Sequence, residues 1–388
     1  MLFVLKKSKR NKVYIACSIS FVGFHAIAAF LRNHAIDKIN KRIDNALRPM
    51  WSFIGFLIIM TALNNTAANV RQTRTALVFP GQGSQKAGML GELAESYPQI
   101  IQTFAEASES VGFDLWQIAQ SGDALDQTEF TQPVLLTASI ALWRLWLDLD
   151  GVVPVALAGH SLGEYSALVA GGALSLADGV RLVHLRGQLM QQAVPQGAGA
   201  MVAVLGLGDA QVEELCLKVS SETGDIVDPA NYNAPGQVVI AGQASTVQAV
   251  AALAKEIGGK AISIPVSVPS HCKLMLPAAE VLAEVLAQTT IQMPSIPVVQ
   301  NTRAIVEADL EHVKASLTQQ LYSPVRWTQS EQMLLSLGVE QLVECGPNNV
   351  LTNLAKRMAP PIVSYPIDTR SRLEDALTYI SVAEGKLA

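Results

Sequence analysis

Ala158-Gly159-His160-Ser161-Leu162-Gly163-Glu164 decides how this chain is read, because the spacing G-x-S-x-G puts a serine on a sharp turn between a buried strand and a helix. The flanks fit that geometry. Val152 to Leu157 is a short apolar run rich in β-branched residues, and Tyr165 to Val169 resumes in a helix-compatible pattern. Glycines at 159 and 163 let strand and helix approach closely around a strained residue. Ser161 is therefore the candidate nucleophile. The same spacing also arises by chance in chains rich in Gly and Ala, so other constellations must support it.

One such constellation is Ala76-Leu77-Val78-Phe79-Pro80-Gly81-Gln82-Gly83-Ser84-Gln85, a strand-like run that breaks into a glycine-flanked polar turn. A turn of this kind aims backbone N–H groups into a cleft. The amides of Gln82 and of Leu162, the residue after the serine, can together form an oxyanion hole for a tetrahedral acyl intermediate. A solvent-exposed βα loop is the alternative. A phosphate loop would need a lysine and a Ser or Thr at spacings that are missing.

A serine also needs a base to be a useful nucleophile at neutral pH. Of the six histidines, His271 is the best placed, because it ends the apolar alternation Ser263 to His271, SIPVSVPSH, where a strand should emit a loop. His25 and His34 fall in an N-terminal extension, His184 and His312 sit on polar faces of helical patterns, and His160 should point away from Ser161 on an elbow. Asp178, Asp209, Asp225 and Asp228 lie between Ser161 and His271, but no context marks any of them as the acid of a triad.

Arg186 bears on the substrate. At roughly 100° per residue, Leu182, Val183, Leu185, Leu189 and Met190 define one apolar helix face. Arg186 projects from the middle of that face, while Arg181, His184, Gln188 and Gln191 take the polar side. A guanidinium directed inward is costly unless a carboxylate meets it, and its planar fork suits bidentate pairing. The partner is either an internal acid or a carboxylate on the substrate. In the second case an activated serine beside Arg186 points to a dicarboxylic thioester.

From about Thr75 to the C-terminus the chain resembles the bacterial malonyl-CoA:acyl carrier protein transacylases of type II fatty-acid synthesis. The resemblance rests on FPGQGSQ at Phe79 to Gln85, TQPVLLTAS at Thr131 to Ser139, GHSLGEYSAL at Gly159 to Leu168, NYNAPGQVVIAG at Asn231 to Gly242, VSVPSHC at Val266 to Cys272 and QLYSPVRW at Gln320 to Trp327. It implies that Ser161, activated by His271, takes malonyl from malonyl-coenzyme A and passes it to the phosphopantetheine thiol of acyl carrier protein by a ping-pong route. Arg186 matches the arginine that grips the malonyl carboxylate, and the Gln82 and Leu162 amides match the oxyanion donors. Gln320 matches the glutamine whose main-chain carbonyl orients the histidine. Met190 and Met201 match apolar residues near the acyl pocket, with core filling as the alternative. One departure is Gly346-Pro347-Asn348-Asn349-Val350, where the family usually has Gly-Pro-Gly-Lys-Val.

Half of the 388 residues are apolar, 16% are charged and the net charge is −5, which suits an enzyme with sizeable cores and disfavours nucleic-acid binding. Cys17, Cys216, Cys272 and Cys345 have no metal-ligand spacing and read as reduced thiols. Alternating strand and helix signals predict an α/β fold, a hydrolase-like large subdomain with a parallel sheet over residues 71–192 and 267–388. Between them, 193–266 reads as a small ferredoxin-like subdomain: strand Gly199 to Leu205, helix Asp209 to Ser221, strand Val238 to Ala241, helix Thr246 to Ile257, strand Lys260 to Pro265. No bound cofactor is expected, and the protein is expected to be a monomer.

Residues 1–70 lie outside the resemblance. A basic run, Lys6 to Lys12, precedes two uncharged stretches, Val13 to Leu31 and Pro49 to Val70. A membrane anchor is one reading. However, a single span would separate the catalytic region from cytosolic partners, and Arg32 to Arg48 is itself net positive. Translation starting near Val70, with a cytoplasmic enzyme, is the reading preferred. A serine hydrolase and a non-catalytic scaffold are the competing functions.

Overall fold

A computed structural model describes residues 74–265 and 268–383, together with the backbone of 2–7 and 13–18. At the N-terminus, β1 (Leu2–Lys7) and β2 (Val13–Ser18) pair antiparallel, Leu2 opposite Ser18. Most of residues 1–70, and with it the expectation of an anchor or a later start, falls outside the described residues. No helix among the described residues is long and apolar enough to cross a membrane.

The chain then runs from β3 (Thr75–Phe79) through α1 (Gly91–Ser96), α2 (Gln99–Val111), α3 (Leu115–Ser121) and α4 (Thr128–Asp148) to β4 (Ala156–Gly159), α5 (Gly163–Ala170) and α6 (Leu176–Ala193). There follow β5 (Gly199–Leu205), α7 (Asp209–Thr223), β6 (Val227–Ala234), β7 (Gln237–Gln243), α8 (Ala244–Glu256) and β8 (Lys260–Ser263). The return comprises α9 (Leu276–Gln288), β9 (Val298–Gln300), β10 (Ile305–Val306), α10 (Leu310–Gln320), α11 (Trp327–Ser336), β11 (Gln341–Glu344), α12 (Val350–Ala355), β12 (Val363–Pro366) and α13 (Arg370–Ala383).

The first and third runs build one sheet in the order β10-β9-β4-β3-β11-β12. All of its pairs are parallel except β10 with β9. Every residue of β3 and β4 is buried, as expected of strands covered on both faces, which read as unbroken apolar runs rather than alternating ones. α4 is apolar nearly all round and buried along most of its length, the pattern of a core helix rather than a surface one. Its Trp146 closes the end of the layer, donating from Nε1 to Val152 O at 2.9 Å.

The second run forms a four-stranded antiparallel sheet, β6-β7-β5-β8. With its two helices it has the βαββαβ order of a ferredoxin-like unit. The sequence reading of this region lacked β6. That strand carries Pro229, Asn231 and Asn233 and its pairing with β7 shifts register twice, so turn-prone residues and bulges hid it. β8 also stops at Ser263, short of the expected Pro265. Pro265 lacks the N–H a ladder would use.

Candidate active site

Adjacent parallel strands deliver the site at their carboxyl ends. Phe79 of β3 lies opposite Gly159 of β4, and Ala158 of β4 opposite Val299 of β9. The three loops that leave this edge carry Gln82, Ser161 and Asn301, so residues remote in sequence converge where an open α/β sheet ordinarily binds ligands.

Ser161 sits at φ 53, left-handed backbone that costs a non-glycine residue about 1 kcal/mol or more. Its neighbours show why the turn needs glycine. A Cβ at Gly159 would fall 1.8 Å from Gly163 O, and one at Gly163 would fall 2.0 Å from Phe79 O. Asn301 binds the strained turn on both sides: its Oδ1 accepts from Ser161 N at 2.7 Å and its Nδ2 donates to Gly159 O at 2.6 Å.

Ser161 Oγ lies 2.7 Å from His271 Nε2, and His271 Nδ1 lies 2.7 Å from Gln320 O. A carbonyl can only accept, so Nδ1 carries the proton and Nε2 is left to accept from the serine hydroxyl. His271 is buried and held at φ 65, its own N–H donating to Leu321 O. Burial, then the positive charge of Arg186, pushes its pKa down to about 3, against the opposing pull of the Gln320 carbonyl. The imidazole is therefore neutral at physiological pH, the state a general base requires.

Arg186 is fully buried. Nη1 donates to Gln132 Oε1 and Nη2 to Gln320 Oε1, each at 2.9 Å, and Nη2 also stands 3.4 Å from Ser161 Oγ. Both terminal nitrogens thus meet amide oxygens rather than a carboxylate, and Nε is buried with no hydrogen-bond partner among the described residues. The guanidinium carbon stacks 5.6 Å from the Tyr165 ring centroid. Burial lowers the guanidinium pKa, while Tyr165 and Glu164 counter that effect.

Gln82 follows β3 in a turn closed by Ser84, whose N and Oγ both reach Gly81 O. Gln82 Nε2 donates to Thr128 Oγ1 at 3.3 Å. Leu162 directly follows the serine and caps α5. Gln82, Ser161 and His271 line one cavity of about 160 Å³, together with Met201, Asn231 and Asn233 from the small sheet. Of the two methionines singled out from sequence, Met201 thus reaches the cavity. Met190 is packed in the core, where its sulfur accepts from Gln132 Nε2 at 3.5 Å.

The other histidines have different surroundings. His160 Nε2 lies 2.8 Å from Asn233 Oδ1, His184 Nδ1 donates to Glu129 O, and His312 is exposed beside Asp309. Asn301, Gln132 and Glu164 enter the site without any sequence signal having singled them out. Glu164 is fully buried, with Oε2 accepting from Asn301 N at 3.0 Å and from Gln320 Nε2 at 2.8 Å. Burial raises its carboxyl to about 7 against those hydrogen bonds.

The departure at Asn348 is accommodated locally. Asn348 adopts φ 64, a conformation asparagine tolerates better than most residues. Its Nδ2 donates to Ser84 O at 2.6 Å and its N–H to Asp368 at 3.0 Å, tying this loop to the Gln82 turn.

Residues 76–360 match the family described as acyl transferase domain. Malonyl CoA-acyl carrier protein transacylase from Salmonella typhimurium is 50% identical over 309 residues, 79% of this chain and 99% of that protein. The Bacillus subtilis protein of the same name is 43% identical, over 79% of this chain and 96% of its own length. Among solved structures, FabD from Acinetobacter baumannii is 62% identical with a TM-score of 0.79, covering 80% of this chain and 99% of that one. A malonyl-transacylase solved in complex with a type II PKS acyl-carrier protein is 46% identical with a TM-score of 0.77, covering 79% and 99%. The chain belongs to the acyl transferase family and, within it, to the malonyl CoA-acyl carrier protein transacylases.

Proposed function

We propose that the chain moves a malonyl group from malonyl-coenzyme A to the phosphopantetheine thiol of acyl carrier protein through an ester on Ser161. The observation that carries this reading is the Arg186 guanidinium. Buried beside Ser161 Oγ and hydrogen-bonded to uncharged oxygens rather than to a carboxylate among the described residues, it keeps its charge for an anionic group that arrives with the substrate.

In the first half-reaction His271 Nε2 takes the Ser161 proton as Oγ attacks the thioester carbonyl. The oxyanion is stabilised by the Gln82 and Leu162 amides. The C–S bond then breaks, and the leaving coenzyme thiolate takes the proton from His271. The second half-reaction reverses these roles: His271 deprotonates the carrier thiol, the thiolate attacks the seryl ester, and Ser161 Oγ leaves and recovers the proton. The Gln320 main-chain carbonyl holds the imidazole tautomer where a triad would use a carboxylate.

We assign residues 71–192 and 267–388 to the large subdomain and 193–266 to the small one, with the acyl chain held between them. A monomer working in the cytoplasm without a bound cofactor fits a route in which both substrates bring their own pantetheine arm. Intact-mass analysis after mixing with malonyl-coenzyme A tests the reading. A malonyl adduct dependent on Ser161 and discharged onto added acyl carrier protein supports it. Discharge to free malonate regardless of carrier would make the protein a hydrolase.

A further inference from the structure

We infer that Glu164 is a positioning residue for acyl selectivity, fixing the side chain of Gln320 so that its amide oxygen faces Arg186. This rests on the malonyl-transfer reading of the site.

Gln320 serves the site twice, through different atoms. Its main-chain carbonyl accepts from His271 Nδ1, while its side-chain Oε1 accepts from Arg186 Nη2. The amide nitrogen points the other way, donating to Glu164 Oε2 at 2.8 Å and to Ser161 O at 2.9 Å. Asn301 Oδ1 is a weaker third neighbour at 3.4 Å. Glu164 Oε2 accepts from two N–H groups, those of Asn301 N and Gln320 Nε2, so it dictates which end of the Gln320 amide turns towards it. Glu164, Gln320, Arg186, His271 and Asn301 are all buried, where a polar hydrogen left without an acceptor is costly.

Removing the Glu164 acceptor leaves one hydrogen of that amide unpaired and frees the side chain to rotate. The rotated amide would present N–H groups to a guanidinium that has only N–H groups itself, and Arg186 would shift away. The His271 bond would survive, because it uses the main chain. Loss of Glu164 also removes the acceptor of Asn301 N, which steadies the serine turn, so acylation by every donor falls, but recognition of the acyl carboxylate falls further. A residue that merely packed α5 would reduce acylation by every donor alike.

The test compares the full chain with Glu164→Met, which keeps volume without an acceptor, and Glu164→Gln, which keeps one. Each is assayed for kcat and KM of acyl-enzyme formation with malonyl-coenzyme A and with acetyl-coenzyme A. Glu164→Met should lower the malonyl-over-acetyl preference at least about 10-fold, largely through the malonyl KM, with acetyl acylation falling less than malonyl acylation, and Glu164→Gln should keep the preference. Equal losses for both donors, or an unchanged preference in Glu164→Met, would overturn the assignment. If Glu164→Met does not fold, Glu164→Gln carries the test: retained preference supports the assignment, and lost preference overturns it. Absence of a malonyl adduct on the unchanged chain would sink the malonyl-transfer reading itself, and this inference with it.

Discussion

Glu164 and Glu331 are both fully buried carboxyl groups, and the protein treats them differently. Glu164 accepts from Asn301 N and Gln320 Nε2, and Gln320 in turn reaches Ser161 O, His271 and Arg186. Glu331, on α11, has neither oxygen in a protein hydrogen bond among the described residues, and burial raises it to about 8. Burial and an altered pKa are thus shared by a residue inside the site and one outside it. What separates them is convergence, since only Glu164 touches groups that themselves touch the reacting atoms. A perturbed carboxyl is a weak guide to function until its neighbours are counted in.

That contrast predicts activity losses in one region and stability changes in the other. Ser161→Ala should show the largest effect, a fall of at least about 10⁴-fold in acyl-enzyme formation, and a persisting malonyl adduct in the intact mass would remove Ser161 as nucleophile. His271→Ala should slow both half-reactions by about 10²–10⁴-fold, measured by stopped-flow acylation and discharge. Because His271 is depressed to about 3, acetyl acylation by the unchanged chain should lack the inflection near pH 6.5 of an ordinary histidine. The imidazole stays neutral as pH falls through that value and becomes protonated only as pH approaches about 3. A clear inflection at 6.5 would show that the base is more exposed than its geometry implies.

Arg186→Ala should reduce malonyl acylation about 10²-fold more than acetyl acylation. An equal loss for the two donors would make the guanidinium structural. Glu331→Gln should leave activity within about 2-fold and act on stability alone. The Glu331 carboxyl is raised in the fold, so its contribution is fully present below its ordinary value and is lost as pH rises towards 8. The stability gained by the substitution should therefore grow with pH across that window by up to about 1.4 kcal/mol per pH unit. Denaturant midpoints at pH 5 and pH 8 measure it, and a gain independent of pH would mean that the carboxyl stays ionised.

The same contrast bears on what could be read from sequence. The serine turn and the glycine-flanked Gln82 turn are local devices with local spacing, and Arg186 stands out because a charge breaks an apolar period. Asn301 and Glu164 carry no such mark. Their partners lie 142 and 156 residues away, and an acid in the first turn of a helix reads as no more than a favourable charge for the helix dipole. Gln320 orients the histidine with a main-chain atom, which no residue type advertises. The missing strand β6 failed for the opposite reason: Pro229 and two asparagines gave a strong local turn signal that the pairing with β7 overrode.

The order in which the site's parts occur along the chain has a consequence for synthesis. Ser161 precedes its histidine by 110 residues and the glutamine that spans the site by 159. On the ribosome the serine turn therefore emerges long before His271 and Gln320 do. Its hydrogen-bond partners His271, Asn301 and Gln320 are all made after it, so the geometry around the serine is complete only once the last strands have joined the sheet.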